Sequence, residues 1–143
     1  MQLLERAASA GNKPDPAELI AFIPYCRHLG ITAALEGDSV VLTMPFSPHL
    51  IGNPMIPALH GGVIGSLLET AALAQVIYET SAVKLPKPVD ITVDYLRTGR
   101  AVASYASATI RKQGRRVVNV HAEMWQEDRA KPVAGLRGHF LLG

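Results

Sequence analysis

One long stretch of the chain, residues 61–80, is apolar on almost every side of a helical pattern. Apolar residues recur there every three or four positions, and most of the other positions are small or neutral. The only formally charged residue between His60 and Glu79 is Glu69. A helix of about 20 residues is about 30 Å long, and one with so few polar positions must be surrounded by protein. The pattern therefore predicts a buried helix over Gly61–Thr80.

After this helix the apolar period changes to two, which is typical of half-buried strands. Two further strands are predicted before the helix, at 31–35 and 39–45, joined by the tight turn Glu36-Gly37-Asp38. Polar turns at 112–115 and 127–130 join later strands as hairpins. The strands that follow the helix are predicted over residues 89–95, 105–111, 118–124 and 134–142. About six strands, mostly antiparallel, therefore accompany one dominant helix.

A sheet of this size can bury the helix only if it curls around it. A curled antiparallel sheet wrapped around one long helix is the hotdog arrangement, an α+β fold. A flat α+β sandwich is the alternative, and we rank it second because it would leave half of the helix exposed. Residues 1–143 are expected to form one hotdog domain, of which residues 1–30 are an N-terminal helical extension.

The segments before the long helix carry weaker signals. Residues 1–13 are expected to fray. A short helix is predicted to begin with Asp15 as its cap and Pro16 in its first turn, and to end near Pro24 or continue irregularly to Gly30. Residues 47–59 are rich in turn-forming types, so no regular element is predicted there.

Composition and charge exclude several classes of protein. The chain has 143 residues and is 48% hydrophobic, which is enough for one domain with a sizeable core. A net charge of +2 with scattered basic residues gives no reason to expect a nucleic-acid partner. The N-terminal segment is polar, unlike a secretory signal, and no apolar run reaches the ~18 residues of a membrane span. We therefore expect a cytoplasmic protein without a membrane partner.

The metal-ligating residue types do not form a recognisable site. The single cysteine, Cys26, excludes an intrachain disulfide framework and is interpreted as a small core residue. A thiol–imidazole pair with His28 is the alternative. The five histidines and the cysteine lack ligand spacing, so we expect no metal.

Two glycines precede the lone carboxylate on the predicted helix. Gly61 and Gly62 leave the first backbone N–H groups uncovered, and these groups carry the positive end of the helix dipole. They suit an oxygen that is becoming negative. Glu69 lies two turns after Gly62 on the same face, and Gly65 leaves space beside it. This face is predicted to be a reaction site, whereas a solvent-exposed or arginine-paired Glu69 is the alternative.

The sequence around these residues resembles one family. PMIPALHGGV at residues 54–63, followed by Leu68-Glu69, is similar to the phenylacetate-degradation type of hotdog thioesterase. VDYLR at 93–97, the GRRV turn at 114–117 and the C-terminal strand fit the same family. The resemblance implies hydrolysis of an acyl-coenzyme A thioester, in which coenzyme A is part of the substrate and no separate cofactor is needed.

The resemblance also implies roles for particular residues. Glu69 acts as nucleophile or as general base on water, and the N–H of Gly61 polarises the thioester carbonyl. Asn53 helps to place water or substrate, and His60 fixes the entry of the helix by hydrogen bonding. In the family, Glu69 of one subunit faces Gly61 of the other, which implies a homodimer or a dimer of dimers.

Further residues are predicted to contact the substrate, namely Gly62, Gly65, Arg115 and Arg116. The two arginines belong to the only basic cluster and are candidates for the coenzyme A phosphates, with a solvated turn as the alternative. Tyr95 and Trp125 are interpreted as packing residues of the sheet, with an acyl pocket as the alternative. The chain departs from the family at Leu73, where some relatives carry a hydroxyl, and at Pro88, where others carry a serine.

Two other functions remain open at this point. His49-Leu50-Ile51-Gly52-Asn53-Pro54 is similar to the loop of hotdog hydroxyacyl dehydratases, which pair such a histidine with a helical glutamate. The interval between the last proline of that loop and Glu69 is longer here, which argues against that pairing. A hotdog protein that binds acyl-coenzyme A without turnover is the other alternative.

Overall fold

A six-stranded antiparallel sheet curls around one long helix, which confirms the predicted hotdog architecture. The computed structural model describes residues 2–143. The sheet consists of β1 (Thr32–Glu36), β2 (Ser39–Met44), β5 (Lys87–Tyr95), β6 (Ser104–Gln113), β7 (Val117–Trp125) and β8 (Ala134–Leu141). Its spatial order is β1-β2-β6-β7-β8-β5, so β1 and β5 form the two edges. The short strands β3 (Ile51–Asn53) and β4 (Ala58–Leu59) pair with each other beside it.

The central helix, α4, spans Gly61–Thr80 as predicted. It packs against β2, β6, β7 and β8, and ten of its residues are buried. By length and composition it could cross a membrane, but most of it lies inside the curled sheet. Its buried amide residue, Gln75, accepts a hydrogen bond from Val40 N at 2.7 Å and donates to the Asp38 carbonyl at 3.0 Å. These bonds tie the helix to the turn between β1 and β2.

The N-terminal extension contains three short helices, α1 (Gln2–Ser9), α2 (Pro16–Phe22) and α3 (Pro24–Leu29). Asp15 caps α2 as predicted, accepting the Ala17 N–H at 3.0 Å. The chain does not continue irregularly after α2, because Pro24 starts a new helix that ends at a left-handed Gly30. The expectation that residues 1–13 fray is wrong for α1, whose Leu3 and Leu4 are buried.

Cys26 lies in the core, as predicted. Burial raises the pKa of its thiol above the usual value, and a hydrogen bond with Thr70 opposes this only in part. A buried, protonated thiol is a poor nucleophile. Cys26 is therefore a packing residue, and in the part of the chain that the structure describes its thiol has no hydrogen bond with His28.

The register of the strands separates two ends of the sheet. Tyr95 lies opposite Ala134 at one end, and Lys87 lies opposite Leu141 at the other. The helix begins at the Tyr95 end, since the Tyr95 hydroxyl contacts Gly61. We call these the helix-start end and the helix-exit end of the sheet.

Candidate active site

The first turn of α4 leaves one backbone donor free. The ring Nδ1 of His60 accepts the Gly62 N–H at 2.9 Å. The carbonyl of His60 accepts the N–H groups of Val63 and Ile64. Within residues 2–143 the Gly61 N–H has no acceptor. The positive end of the helix dipole is therefore presented through Gly61, while Gly62 is occupied.

The position of His60 is fixed by its neighbours. Its own N–H donates to the Leu50 carbonyl at 2.9 Å. A Cβ at Gly52 would lie 2.7 Å from the His60 Cα, and a Cβ at Gly62 would lie 3.0 Å from its Nδ1. Glycine is therefore needed at position 52, where the contact is with backbone, whereas a Cβ at position 62 would push the His60 ring by a few tenths of an ångström. Because Nδ1 accepts this hydrogen bond, the neutral ring carries its proton on Nε2.

Tyr95 covers the helix face that carries Gly61 and Gly65. Its hydroxyl donates to the Gly61 carbonyl at 2.8 Å. A Cβ at Gly61 would lie 3.5 Å from the Tyr95 oxygen, and one at Gly65 would lie 3.7 Å from it. Both separations are ordinary van der Waals contacts, so the protomer tolerates alanine at either position. The space beside Gly65 is bounded by a phenol, which sequence reasoning did not predict.

Glu69 is half-buried on the same face of the helix. Among residues 2–143 its carboxylate has no hydrogen bond and no ion pair, so the arginine-paired alternative does not occur within the chain. The neighbouring hydroxyls bond to the helix backbone instead: Ser66 donates to the Gly62 carbonyl at 2.8 Å and Thr70 to the Ser66 carbonyl at 2.7 Å. The carboxylate is thus available for chemistry.

Gly61 and Glu69 of one helix are too far apart to act on one carbonyl group. Eight residues at the helical rise separate them by about 12 Å along the axis. A donor to the carbonyl oxygen and a group attacking the carbonyl carbon must lie within roughly 6–7 Å of each other. The backward tilt of the Glu69 side chain covers only part of the difference. The shared face predicted from the sequence is real, but the two groups do not form a complete site within one protomer.

Asn53 lies in the hairpin that precedes the helix. Its Oδ1 accepts the Met55 N–H at 3.0 Å, which forms a local turn, and its residue faces solvent. It has no hydrogen bond with Gly61 or Glu69 among the described residues. Its amide N–H groups remain available to a ligand.

His49 connects the loop after β2 to the N-terminal extension through hydrogen bonds. Its Nδ1 bonds to the Ser47 hydroxyl at 2.8 Å and its Nε2 to the His28 carbonyl at 2.9 Å. Both ring nitrogens are therefore engaged, and neither contacts Glu69. Among the residues that the structure describes, the histidine–glutamate pair of a dehydratase does not form.

The two candidate arginines lie far from the helix start of their own protomer. Arg115 and Arg116 precede Val117, which lies opposite Leu141 at the helix-exit end. The nine residues of β5 separate this end from Tyr95 by about 26 Å. Both arginines are exposed and form no ion pair within residues 2–143.

In the part of the chain that the structure describes, no three His, Cys, Asp or Glu side chains come together as a metal site would require. The groups on the described helix face are the free N–H of Gly61 and the unpaired carboxylate of Glu69. A backbone donor and a carboxylate are groups of the kind used by hydrolases of activated acyl groups.

The protein-family model described as the acyl-CoA thioesterase N-terminal domain matches residues 52–141 of this chain, which include the helix start and Glu69. The chain therefore belongs to the acyl-CoA thioesterase family and is a thioester hydrolase.

One relative with a named activity and two solved structures are similar to this chain. The medium/long-chain acyl-CoA thioesterase YigI of Escherichia coli K12 is 27% identical over 135 residues, covering 85% of this chain and 86% of YigI. A protein from Chromobacterium violaceum of known structure is 36% identical, with a TM-score of 0.77 over 100% of this chain and 98% of that one. A phenylacetic acid degradation-related thioesterase from Ralstonia eutropha shares the fold at 19% identity, with a TM-score of 0.76 over 89% and 98% of the two chains. The predicted resemblance to the hotdog thioesterases is thus confirmed at the level of the acyl-CoA thioesterase family.

Proposed function

We propose that the protein hydrolyses acyl-coenzyme A thioesters with the Gly61 N–H and the Glu69 carboxylate as its reacting groups. The observation that carries the proposal is the single free N–H at the helix start combined with an unpaired carboxylate on the same helix face. The N–H stabilises the negative charge that develops on the thioester oxygen. Glu69 either removes a proton from the attacking water or attacks the carbonyl carbon itself. The carbon–sulfur bond then breaks, and coenzyme A leaves as the thiol after taking the proton that Glu69 removed from water, or a proton from water when Glu69 is the nucleophile. In the nucleophile route, water then hydrolyses the acyl–Glu69 anhydride to the free acid and restores the carboxylate.

The proposed site is built from two copies of the chain. The axial distance within one helix argues for a second copy, because Gly61 and Glu69 must meet at one carbonyl. The outer side of β5 has no neighbouring strand among residues 2–143. Two sheets joined antiparallel along β5 would bring the helix-start end of one protomer next to the helix-exit end of the other. We therefore propose a homodimer, or a dimer of dimers, in which Glu69 of one protomer serves Gly61 of its partner.

The same pairing gives roles to the remaining candidates. Arg115 and Arg116 of one protomer would lie toward the helix start of the other, where they could bind the coenzyme A phosphates. Asn53 would use its free amide N–H groups on water or on the substrate. His60 would act by holding the helix start, and the bare Cα atoms of Gly62 and Gly65 would allow the thioester to approach.

Carboxylate-assisted hydrolysis needs water and no separate cofactor, so we propose none. We also propose that residues 1–143 act as one thioesterase domain, with residues 1–30 as its helical extension, and that the protein works in the cytoplasm. The name of YigI makes medium- and long-chain acyl groups the first substrates to examine.

The test compares thiol release from short-, medium-, long-chain and aromatic acyl-coenzyme A by the wild type and by Glu69→Gln. We expect kcat to fall by about 10²–10⁴-fold in this variant. Glu79→Gln is a matched control on the same helix, since Glu79 bonds to Gln75 and lies far from the helix start. Turnover that survives Glu69→Gln would exclude Glu69 as the reacting carboxylate. Binding of acyl-coenzyme A without thiol release by the wild type would exclude hydrolysis.

A further inference from the structure

We infer that Tyr95 is a positioning residue, which holds the Gly61–Gly62 peptide and through it sets the direction of the Gly61 N–H. This inference rests on the proposed function for its catalytic consequence. Its structural basis is the hydrogen bond from the Tyr95 hydroxyl to the Gly61 carbonyl at 2.8 Å.

A helix that begins with two glycines needs external support. Glycine is less favourable in a helix than alanine by about 1 kcal/mol because its backbone is so free. The peptide between Gly61 and Gly62 is bound at both of its polar atoms. Its carbonyl accepts the Tyr95 hydroxyl, and its N–H donates to the His60 ring at 2.9 Å. Two side chains from different parts of the fold therefore define the orientation of one peptide plane.

Tyr95 is itself firmly attached to the sheet. It is the last residue of β5 and lies opposite Ala134. The next two N–H groups, of Leu96 and Arg97, both donate to the Val133 carbonyl, at 2.9 and 3.0 Å. The backbone of Tyr95 is therefore held by the sheet, and its phenol connects the sheet to the helix start.

A packing role does not account for this contact. Tyr95 is 56% exposed, so it contributes little to the core. The Gly61 carbonyl is also an ordinary helical acceptor for the N–H four residues later, so it needs no second partner to be satisfied. The additional hydrogen bond fixes direction. Because the preceding N–H is the free donor of the site, that direction decides how well a substrate carbonyl is bound.

The kinetic test is Tyr95→Phe, which keeps the ring and removes the hydroxyl. We expect kcat for acyl-coenzyme A hydrolysis to fall by roughly three- to ten-fold, the worth of one hydrogen bond, with KM changed by less than about two-fold. Tyr78→Phe is the matched control, because among residues 2–143 its hydroxyl bonds only to Asp38, near the far end of α4. Unchanged kcat in Tyr95→Phe, or an equal fall in Tyr78→Phe, would overturn the inference.

Amide hydrogen exchange measured by NMR supplies a readout that does not need turnover. We expect exchange at Gly62, whose N–H is bound to the His60 ring, to accelerate in Tyr95→Phe and to stay at the wild-type rate in Tyr78→Phe. Unchanged exchange would overturn the inference even if kcat fell, since Tyr95 would then act on the substrate directly. If the wild type releases no thiol, the proposed function fails, whereas the exchange rates still decide whether Tyr95 holds the peptide.

Discussion

Replacing Gly61 with proline would delete the proposed donor and leave the helix start intact. Proline has no backbone N–H, and its φ near −65° suits the first helical residue. The residue before proline must be extended, and His60 already has φ −62° and ψ 134°. A Cβ at Gly61 would lie 3.5 Å from the Tyr95 oxygen, which is an ordinary contact. We therefore expect Gly61→Pro to fold with a free energy of unfolding within about 1 kcal/mol of the wild type.

The expected loss of activity is large because no other donor can take over. The Gly62 N–H is bound to His60, and the next two N–H groups are bound to the His60 carbonyl. Removing one oxyanion donor costs about 10²–10³ in kcat. Thiol release at saturating acyl-coenzyme A measures this loss, and thermal unfolding by circular dichroism verifies the fold. Gly61→Ala is the matched control, since it adds the Cβ and keeps the N–H.

Comparing the kcat of Gly61→Pro with that of Gly61→Ala separates the loss of the N–H from the effect of the added Cβ. A folded Gly61→Pro protein whose kcat is within about three-fold of Gly61→Ala would refute the reasoning, because a lost oxyanion donor costs far more. An equal loss in both variants would mean that bulk at Gly61 blocks the site and that the N–H is not the critical group.

The same variant tests whether the site spans two protomers. Mixed dimers of Gly61→Pro and Glu69→Gln would hold one doubly altered site and one intact site if the groups come from different protomers. Random mixing would then restore about a quarter of the wild-type activity, since half of the dimers would be mixed and each would have one working site of two. If each site lay within one protomer, every site would carry one substitution and mixing would restore nothing.

Features carried by local periodicity were predictable from the sequence. The bounds of α4 follow from the helical apolar pattern over residues 61–80. The structure adds the means by which the helix begins and ends, namely the His60 cap and the left-handed Ser81. Strands β6, β7 and β8 follow from strict alternation, because each has one face on the helix. In both cases the local pattern and the tertiary environment agree.

Features that depend on distant packing were not predictable in the same way. Helix α1 exists because Leu3 and Leu4 pack into the core, and nothing local distinguishes it from a fraying terminus. Strands β3 and β4 have three and two residues, which is too short for a period to show. They matter because their pairing brings Gly52 against His60 and so fixes the cap of the helix.

In the candidate site, too, features set by local periodicity were predictable and contacts between distant residues were not. The shared face of Gly61 and Glu69 follows from helical periodicity, and the axial separation follows from the helical rise. The same rise indicates that the two groups of one helix do not meet at one carbonyl. The contact of Tyr95 with Gly61 joins residues that are 34 positions apart, so only the fold reveals it.

Two further predictions concern Gly65, which lies beside the candidate site, and Cys26, which lies in the core. Gly65→Ala should stabilise the protein, because alanine is favoured inside a helix by about 1 kcal/mol and its Cβ would lie 3.7 Å from the Tyr95 oxygen, an ordinary contact. The Tm should therefore rise by roughly 3 °C. We expect kcat/KM to fall by about ten-fold or more, since the added methyl group would narrow the space for substrate beside Glu69. Gly135→Ala on β8 is the control, and a stabilised Gly65→Ala enzyme with wild-type kcat/KM would show that substrate does not use this face. Cys26 gives a pH dependence of stability. Burial raises the pKa of its thiol in the folded state above the ordinary value of 9.0, so the protonated form favours folding. The stabilisation is therefore complete below the unfolded pKa and is lost as the pH rises through the folded one. Urea unfolding of the wild type should weaken across this alkaline range more steeply than unfolding of Cys26→Ala, and equal slopes for the two proteins would contradict a raised thiol pKa.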